Sequence, residues 1–195
     1  EGFGKVGGAV AREVVRRGGR VVAVSTIAGC VHDPRGLDVD TLWQARTGHG
    51  DDLVHHVGLP VAPPAALFEV AADVLVPGAR PGAVDEARAR TLGAAAVVPA
   101  ANVPYTAAGL GVLRGRGIPA HADFVCNAGG VLGYESAATA TPAEILTRVE
   151  SRVGDLVRAA ADHPEGPFAG ACEQAVSYLA TWLEPDALPA GPPLA

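Results

Sequence analysis

Six residues near the start of the chain, Gly2-Phe3-Gly4-Lys5-Val6-Gly7, constrain the fold more than any other stretch. Each glycine has its own task in such a turn. Gly2 permits a tight reversal after a strand, Gly4 lets a phosphate group approach bare backbone, and Gly7 lets the following helix pack closely. Phe3, Lys5 and Val6 complete the loop, and the helix N-terminus behind it offers unpaired N–H groups and a positive dipole end. Residues 6–18 place Val6, Ala9, Val10 and Val14 on one helical face, with Arg and Glu opposite, and Gly18-Gly19 ends the run. Residues 20–25, almost unbroken in β-branched character, read as a strand buried on both faces. This glycine–helix–strand order is that of a dinucleotide-binding turn; the alternative is an ordinary strand-to-helix turn that binds nothing. A mononucleotide P-loop is excluded, because Val6 follows Gly4-Lys5 where Ser or Thr is required.

The rest of the chain continues the alternation. Residues 26–36 form a turn-rich excursion in which Asp33-Pro34-Arg35-Gly36 is the strongest turn signal. Asp38 caps a helix that carries Leu42 and Trp43 to about Arg46, and residues 48–64 are loop with at most one helical turn. Strands are expected at 73–77, 95–99 and 118–122. Helices are expected at 84–91, 106–116, 128–139, 142–161 and 168–183. Strands alternating with helices predict an α/β fold of Rossmann-like, doubly wound type, with a mostly parallel sheet and flanking helices. Residues 1–184 read as one domain, and 185–195 as a loose tail with four prolines. The chain opens without Met directly at the glycine turn, so the strand preceding that turn is expected to lie outside it. That strand is central in a doubly wound sheet. Residues 1–195 alone are therefore expected to fold poorly, with two strands left unpaired.

Composition removes several function classes. The net charge is −6 and no Lys/Arg stripe offsets it, which argues against nucleic acid as a partner. No apolar run is long enough to span a membrane, and nothing resembles a signal peptide. Cys30, Cys126 and Cys172 are odd in number and far apart, which fits free thiols in a reducing cytoplasm. The six histidines form no ligand set: His55 and His56 are adjacent and diverge, so no metal site is expected. Trp43 and Trp182, among aliphatic neighbours at helical spacing, read as core anchors. Asp123 reads as a proton relay or as a cap or strand-end carboxylate, and Tyr134 and Glu135 are candidates for substrate contact.

The second strand of a dinucleotide fold commonly ends in an acid, about 20 residues past the glycines, that binds the ribose and repels a 2′-phosphate. Here the strand ends Val24-Ser25-Thr26, without an acid. Ser25 and Thr26 can bond a ribose or a phosphate, or merely satisfy a turn, and both NAD and NADP stay admissible.

Further segments narrow the reading: Val76-Pro77-Gly78-Ala79, Pro99-Ala100-Ala101-Asn102-Val103-Pro104, and Pro119 to Val131. Together with the glycine turn and Asp33-Pro34-Arg35-Gly36-Leu37-Asp38, they resemble the glutamate/leucine/phenylalanine/valine dehydrogenase family over residues 1 to about 135. The branch that includes glutamate dehydrogenase is most similar. The resemblance implies that Gly78 and Ala79 line the nicotinamide-side ribose, that Ala101 and Asn102 lie beside it, and that Asn127 faces the nicotinamide carboxamide. An Asn side chain supplies the donor and the acceptor that a carboxamide needs. For Asn102 and Asn127 the competing role is turn stabilisation. The implied reaction is NAD(P)-dependent oxidative deamination of an L-amino acid, glutamate first among candidates, to a 2-oxo acid and ammonia, in a homo-oligomeric parent. The family's catalytic Lys and Asp belong to an N-terminal domain with no counterpart here, and Lys5, inside the turn, cannot replace that Lys. No catalytic residue is therefore expected in this chain. Gly133-Tyr134 stands where the glutamate enzymes usually carry Val-Ser, so a leucine/phenylalanine/valine-type substrate is the alternative. A non-catalytic nucleotide-binding remnant is the rival from outside the enzyme class.

Overall fold

A computed structural model describes residues 1–134 and 140–189. Helix α1 spans Lys5–Arg16 and strands β1 and β2 span Ala23–Thr26 and Gly29–His32. Helix α2 follows at Val39–His49 and strand β3 at Ala72–Leu75. Helix α3 (Glu86–Thr91), strand β4 (Ala94–Val97) and helix α4 (Ala107–Gly115) complete the middle of the chain. Helices α5 (Asp123–Cys126), α6 (Gly129–Tyr134), α7 (Pro142–Ala161) and α8 (Pro167–Leu179) fill the remainder. The fold is mixed α/β, mostly helical, with two small sheets.

The local signals explain most boundaries. The Asp38 carboxylate accepts the N–H groups of Asp40 and Thr41 and starts α2. Asp85 and Thr106 cap α3 and α4 in the same way. Thr141 and Glu144 form a reciprocal capping box at the head of α7, where Pro142 at the first turn has no N–H to lose. Gly18 takes φ +82, and the Gly18 and Gly19 N–H groups close the end of α1 on the Val15 and Val14 carbonyls. The Asp33–Gly36 turn forms as expected, with the Gly36 N–H on the Asp33 carbonyl.

The sheets differ from the expectation in three ways. Residues 29–32, expected as part of a turn-rich excursion, are β2, which pairs antiparallel with β1 in the register Thr26↔Gly29 to Ala23↔His32. A run rich in β-branched residues is equally suited to a tight hairpin, and Ile27-Ala28 provide its two-residue turn. Among the described residues the parallel strand pair is β3 with β4, Ala72↔Ala94 to Leu75↔Val97. The strand expected at 118–122 shrinks to one parallel bridge, Val97↔Ala120. Pro119 has no N–H for the ladder, and α5 begins three residues after the bridge.

Three apolar clusters underlie this arrangement. One joins Phe3, Val31, Leu42, Leu53 and Val54 beneath the hairpin, α1 and α2. A second joins Phe68, Leu75, Val97, Leu110 and Leu113 under β3, β4, α3 and α4. The third is small and ties α5 to α7 and α8 through Ala122, Val125, Ala160 and Ala171. The stretch expected as loop, 48–64, contributes to the first through the 3₁₀ turn at Gly50–His55, and the residues after it contribute to the second through the 3₁₀ turn at Pro64–Glu69. Two helix faces also shift. On α1 the buried residues are Gly8 and Ala11, whereas Val6 is 58% exposed, because α1 comes closest to its neighbour at Gly8, under the Trp43 ring. Trp182, expected in the core, is 63% exposed, since α8 ends at Leu179 before reaching it. The described part of the expected helix 128–139 is α6; Glu135 and the rest of that stretch lie outside the described residues, as do 190–195.

Candidate functional site

The glycine turn separates into glycines that the protein itself requires and one that it does not. Gly2 has φ +81, a left-handed conformation that glycine adopts freely, and its N–H donates to the Ser25 carbonyl at the end of β1 (2.8 Å). A Cβ on Gly7 would collide with the Gly2 carbonyl oxygen, so the start of α1 lies directly on the turn. Gly4, the N-cap, has nothing within 4 Å of its hypothetical Cβ. No side chain caps α1 and no acid stands in its first turn. The turn therefore presents uncapped N–H groups and a positive dipole end beside open space, next to the exposed Lys5. Phe3 is only 2% exposed and meets Trp43 edge to face, centroids 6.4 Å apart. Its side chain belongs to the core, and only its backbone is available to a ligand.

Two further loops meet this turn. The Glu1 backbone nitrogen donates to the Val76 carbonyl just past β3 (2.8 Å). A Cβ on Gly78 would lie 2.8 Å from the Glu1 carbonyl oxygen, and the Ala79 N–H reaches the Glu1 carboxylate at 3.4 Å. The Pro77 carbonyl accepts both Ala100 and Ala101 N–H groups (2.9 and 3.0 Å), so the loop after β3 is bonded to the loop after β4. At the far end the Asn127 side-chain N–H donates to the Asn102 side-chain oxygen (2.6 Å). Residues 2–7, 78–79 and 101–102 with 127 thus form one continuous line along the carboxyl ends of β1, β3 and β4.

Ser25 and Thr26 stand differently. Ser25 is 2% exposed. The Thr26 hydroxyl donates to the Asp51 carbonyl (2.6 Å) and accepts the Ala28 N–H (3.1 Å). These are the bonds of the turn role.

Val103 and Asp123 are the residues whose role sequence reasoning missed. Val103 is the one non-glycine residue at positive φ (+49) among the described residues, and it is β-branched. Its N–H donates to the Asp123 carboxylate (2.8 Å), while the Asp123 carbonyl accepts the Asn127 N–H (2.8 Å). Asp123 is not the cap of α5, which is Ala122. No local pattern links positions 20 residues apart, which is why the pairing is silent in the sequence. Burial, with the nearby Asp123 charge, pushes the Cys126 thiol up to about 11 and the Tyr105 phenol well above its ordinary value. The Tyr105 hydroxyl donates to the His121 carbonyl (2.9 Å).

The cluster consists of backbone N–H groups, small residues and amide side chains; Glu1, Lys5 and Asp123 bring ionisable side chains to it. A separate cavity of 520 Å³ lies between α4 and the turn before α8, lined by Leu110, Arg114, Ile118, His163 and Phe168 among others. It shares no residue with the cluster. Tyr134 is 93% exposed on α6. Among the described residues no three His, Cys, Asp or Glu side chains gather as a metal site, and no helix is long and apolar enough to cross a membrane.

Comparison with known proteins gives the same direction. The profile of the family described as Glutamate/Leucine/Phenylalanine/Valine dehydrogenase matches residues 1–160. Glutamate dehydrogenase A2 of Halobacterium salinarum is 36% identical over 132 residues, 68% of this chain and 32% of that protein. The NAD-specific glutamate dehydrogenase of Staphylococcus aureus is 36% identical over 131 residues, 67% of this chain and 31% of that protein. The hetero-hexameric glutamate dehydrogenase of Thermus thermophilus, solved in a leucine-bound form, superposes with a TM-score of 0.70 at 34% identity, covering 89% of this chain and 44% of that one. The chain spans about a third of the length of the curated relatives it matches. By the extent of the profile match, this chain belongs to the glutamate/leucine/phenylalanine/valine dehydrogenase family.

Proposed function

We propose that residues 1–184 are the dinucleotide-binding domain of an NAD(P)-dependent amino-acid dehydrogenase, with its two small sheets as parts of a doubly wound sheet. The observation that carries this reading is Gly4. The fold explains Gly2 and Gly7, but it leaves Gly4 facing open space beside uncapped helix N–H groups, the arrangement that lets a diphosphate approach bare backbone. Support for the doubly wound arrangement comes from Glu1 and Gly2, which bond to the carboxyl-terminal ends of β3 and β1 respectively. In such sheets ligands bind outside the carboxyl ends of the strands.

In this reading the backbone around residues 2–7 holds the diphosphate, with Lys5 adding charge. Gly78 and Ala79 lie against the nicotinamide-side ribose, Ala101 and Asn102 beside it, and Asn127 holds the carboxamide. The nicotinamide accepts hydride from the α-carbon of an L-amino acid, which leaves as a 2-oxo acid and ammonia. These residues orient the ring and keep water away from it. Proton transfer and most substrate binding fall to residues outside this chain. Glutamate leads as substrate because the named relatives are glutamate dehydrogenases. Gly133-Tyr134 on α6 keeps a leucine-, phenylalanine- or valine-type substrate as the second reading. NAD is supported by the name of the Staphylococcus relative, and the committed Thr26 hydroxyl leaves the choice against NADP to other groups. An oligomeric parent and a cytoplasmic setting fit the hexameric relative and the three free thiols.

The test is titration of the full-length protein with NADH and NADPH, followed by oxidation of a panel of L-amino acids with each cofactor. Gly4→Ala is expected to weaken nucleotide binding by about tenfold or more while the melting temperature holds. Wild-type protein that binds neither nucleotide, or a Gly4→Ala variant with unchanged affinity, overturns the reading. Nucleotide binding without turnover on any amino acid supports the non-catalytic module instead.

A further inference from the structure

Val103 is held in an unfavourable conformation by something other than its own chemistry. A β-branched residue at φ +49 sits in a region that L side chains seldom occupy, and such outliers persist only where the surroundings impose them. Val103 is also 65% exposed, so core packing does not impose this one. Two contacts hold its backbone: the Gly82 N–H donates to its carbonyl at 2.8 Å, and the Asp123 carboxylate accepts its N–H at 2.8 Å from across 20 residues. The same residue's carbonyl accepts the N–H of Asn127 at 2.8 Å. Asp123 therefore touches the backbone on both sides of the Asn127–Asn102 amide contact, which closes at 2.6 Å.

We propose that Asp123 is a positioning residue: by bonding the Val103 N–H it locks the left-handed turn that aims the Asn102 amide at Asn127, and so fixes the end of the site that takes the nicotinamide. The inference rests on the dinucleotide reading above and adds a role at that site for a residue that touches neither ligand nor reacting atom. The lock needs an acceptor, not a charge. Asn at position 123 can supply the same acceptor oxygen, whereas Ala cannot. It also needs to act only because residue 103 carries a side chain; glycine takes the same conformation unaided.

Full-length wild type, Asp123→Ala, Asp123→Asn and the double variant Asp123→Ala/Val103→Gly are titrated with NADH and, separately, with ADP, which carries the diphosphate half alone. Asp123→Ala is expected to bind NADH about tenfold more weakly with ADP affinity within about twofold of wild type. Asp123→Asn should stay within about threefold of wild type for both, and Val103→Gly should restore most of the NADH affinity lost in Asp123→Ala. Unchanged NADH affinity in Asp123→Ala overturns the inference. So does an equal loss of NADH and ADP, which marks a general structural role, and so does damage in Asp123→Asn equal to that in Asp123→Ala. Wild-type protein that binds neither NADH nor ADP fails at the earlier step, and the dinucleotide reading falls together with this one.

Discussion

The two ends of the candidate site are made in different ways. At the glycine turn, Gly2, Gly4 and Gly7 are within five residues of one another, and what they do follows from backbone sterics. At the amide end, Asn102 and Asn127 are 25 residues apart and meet through a contact steadied by Asp123 and a strained Val103. The first end is a local structure that any similar sequence reproduces. The second is a tertiary construction, and its geometry is only as good as its brace. A glycine turn can therefore be recognised without a fold, while the amide pair has a meaning only inside one.

The largest effect should come from the part of the turn that the protein needs for itself. Gly7→Ala forces a methyl group into the Gly2 carbonyl, where backbone rather than a flexible side chain must move. Overpacking of that kind is expected to cost about 3 kcal/mol, a fall of roughly 6–12 °C in melting temperature for a chain of this size. Gly4→Ala, three residues away, should change stability by less than about 0.5 kcal/mol. Thermal melts of the two variants, side by side, read the difference directly. Equal losses in the two would remove the distinction between a fold-imposed and a ligand-imposed glycine.

Trp43 and Trp182 show where the sequence could be read and where it could not. Both sit among aliphatic residues at helical spacing, and both were expected in the core. Trp43 is anchored: Gly8 lies beneath its ring, with only 2.5 Å for an added Cβ, Phe3 meets its edge, and the Arg12 guanidinium stacks over it at 4.0 Å. Trp182 lies beyond the end of α8 and is exposed. Periodicity says which side a residue takes on a helix, but not whether another element arrives to cover that side. The same limit explains β2, since a β-branched run does not announce its partner, and Asp123, whose bond to Val103 spans 20 residues. Caps, turns and the glycine motif were legible because their causes lie within four or five residues. Trp43→Ala is expected to cost about 2–3 kcal/mol and Trp182→Ala less than about 0.5 in denaturant melts; a comparable cost at Trp182 would mean that its ring is covered in the intact protein.

Thr26 marks the boundary between the two kinds of structure. Its hydroxyl joins the hairpin turn, through the Ala28 N–H, to the Asp51 carbonyl 25 residues on. Thr26→Val keeps the shape and removes both bonds at a position only 7% exposed. The loss is expected to be about 2 kcal/mol of stability, with NADH and NADPH affinity within about twofold of wild type. If stability holds and the preference between NADH and NADPH shifts, the hydroxyl reads the ribose after all and the site extends past β1.

The smallest effect concerns pH and again separates the two ends. His121 lies beside the amide end, on the segment bridged to β4, and burial lowers its pKa below the ordinary 6.5. The imidazole is therefore neutral in the fold at a pH where the unfolded chain already takes up a proton. Its share of stability is complete above pH 6.5 and is lost progressively as the pH falls below that value toward the folded pKa. The carboxylates with lowered pKa act in a lower range. Glu13, held at about 2 by Arg16 and Arg17 at the end of α1, is fully exposed and adds little, and its contribution declines only below about pH 4.5. Asp38 and Glu144, lowered by the backbone N–H groups they accept, follow the same sign. Between pH 6.5 and 5, then, the slope of stability should belong largely to His121, and His121→Gln should flatten it while leaving the steeper decline below pH 4.5 in place. Melts of both proteins at half-unit steps across this range measure the two limbs separately. An unchanged slope in His121→Gln would place the weak point elsewhere, and the amide end would then be no more sensitive to acid than the glycine turn.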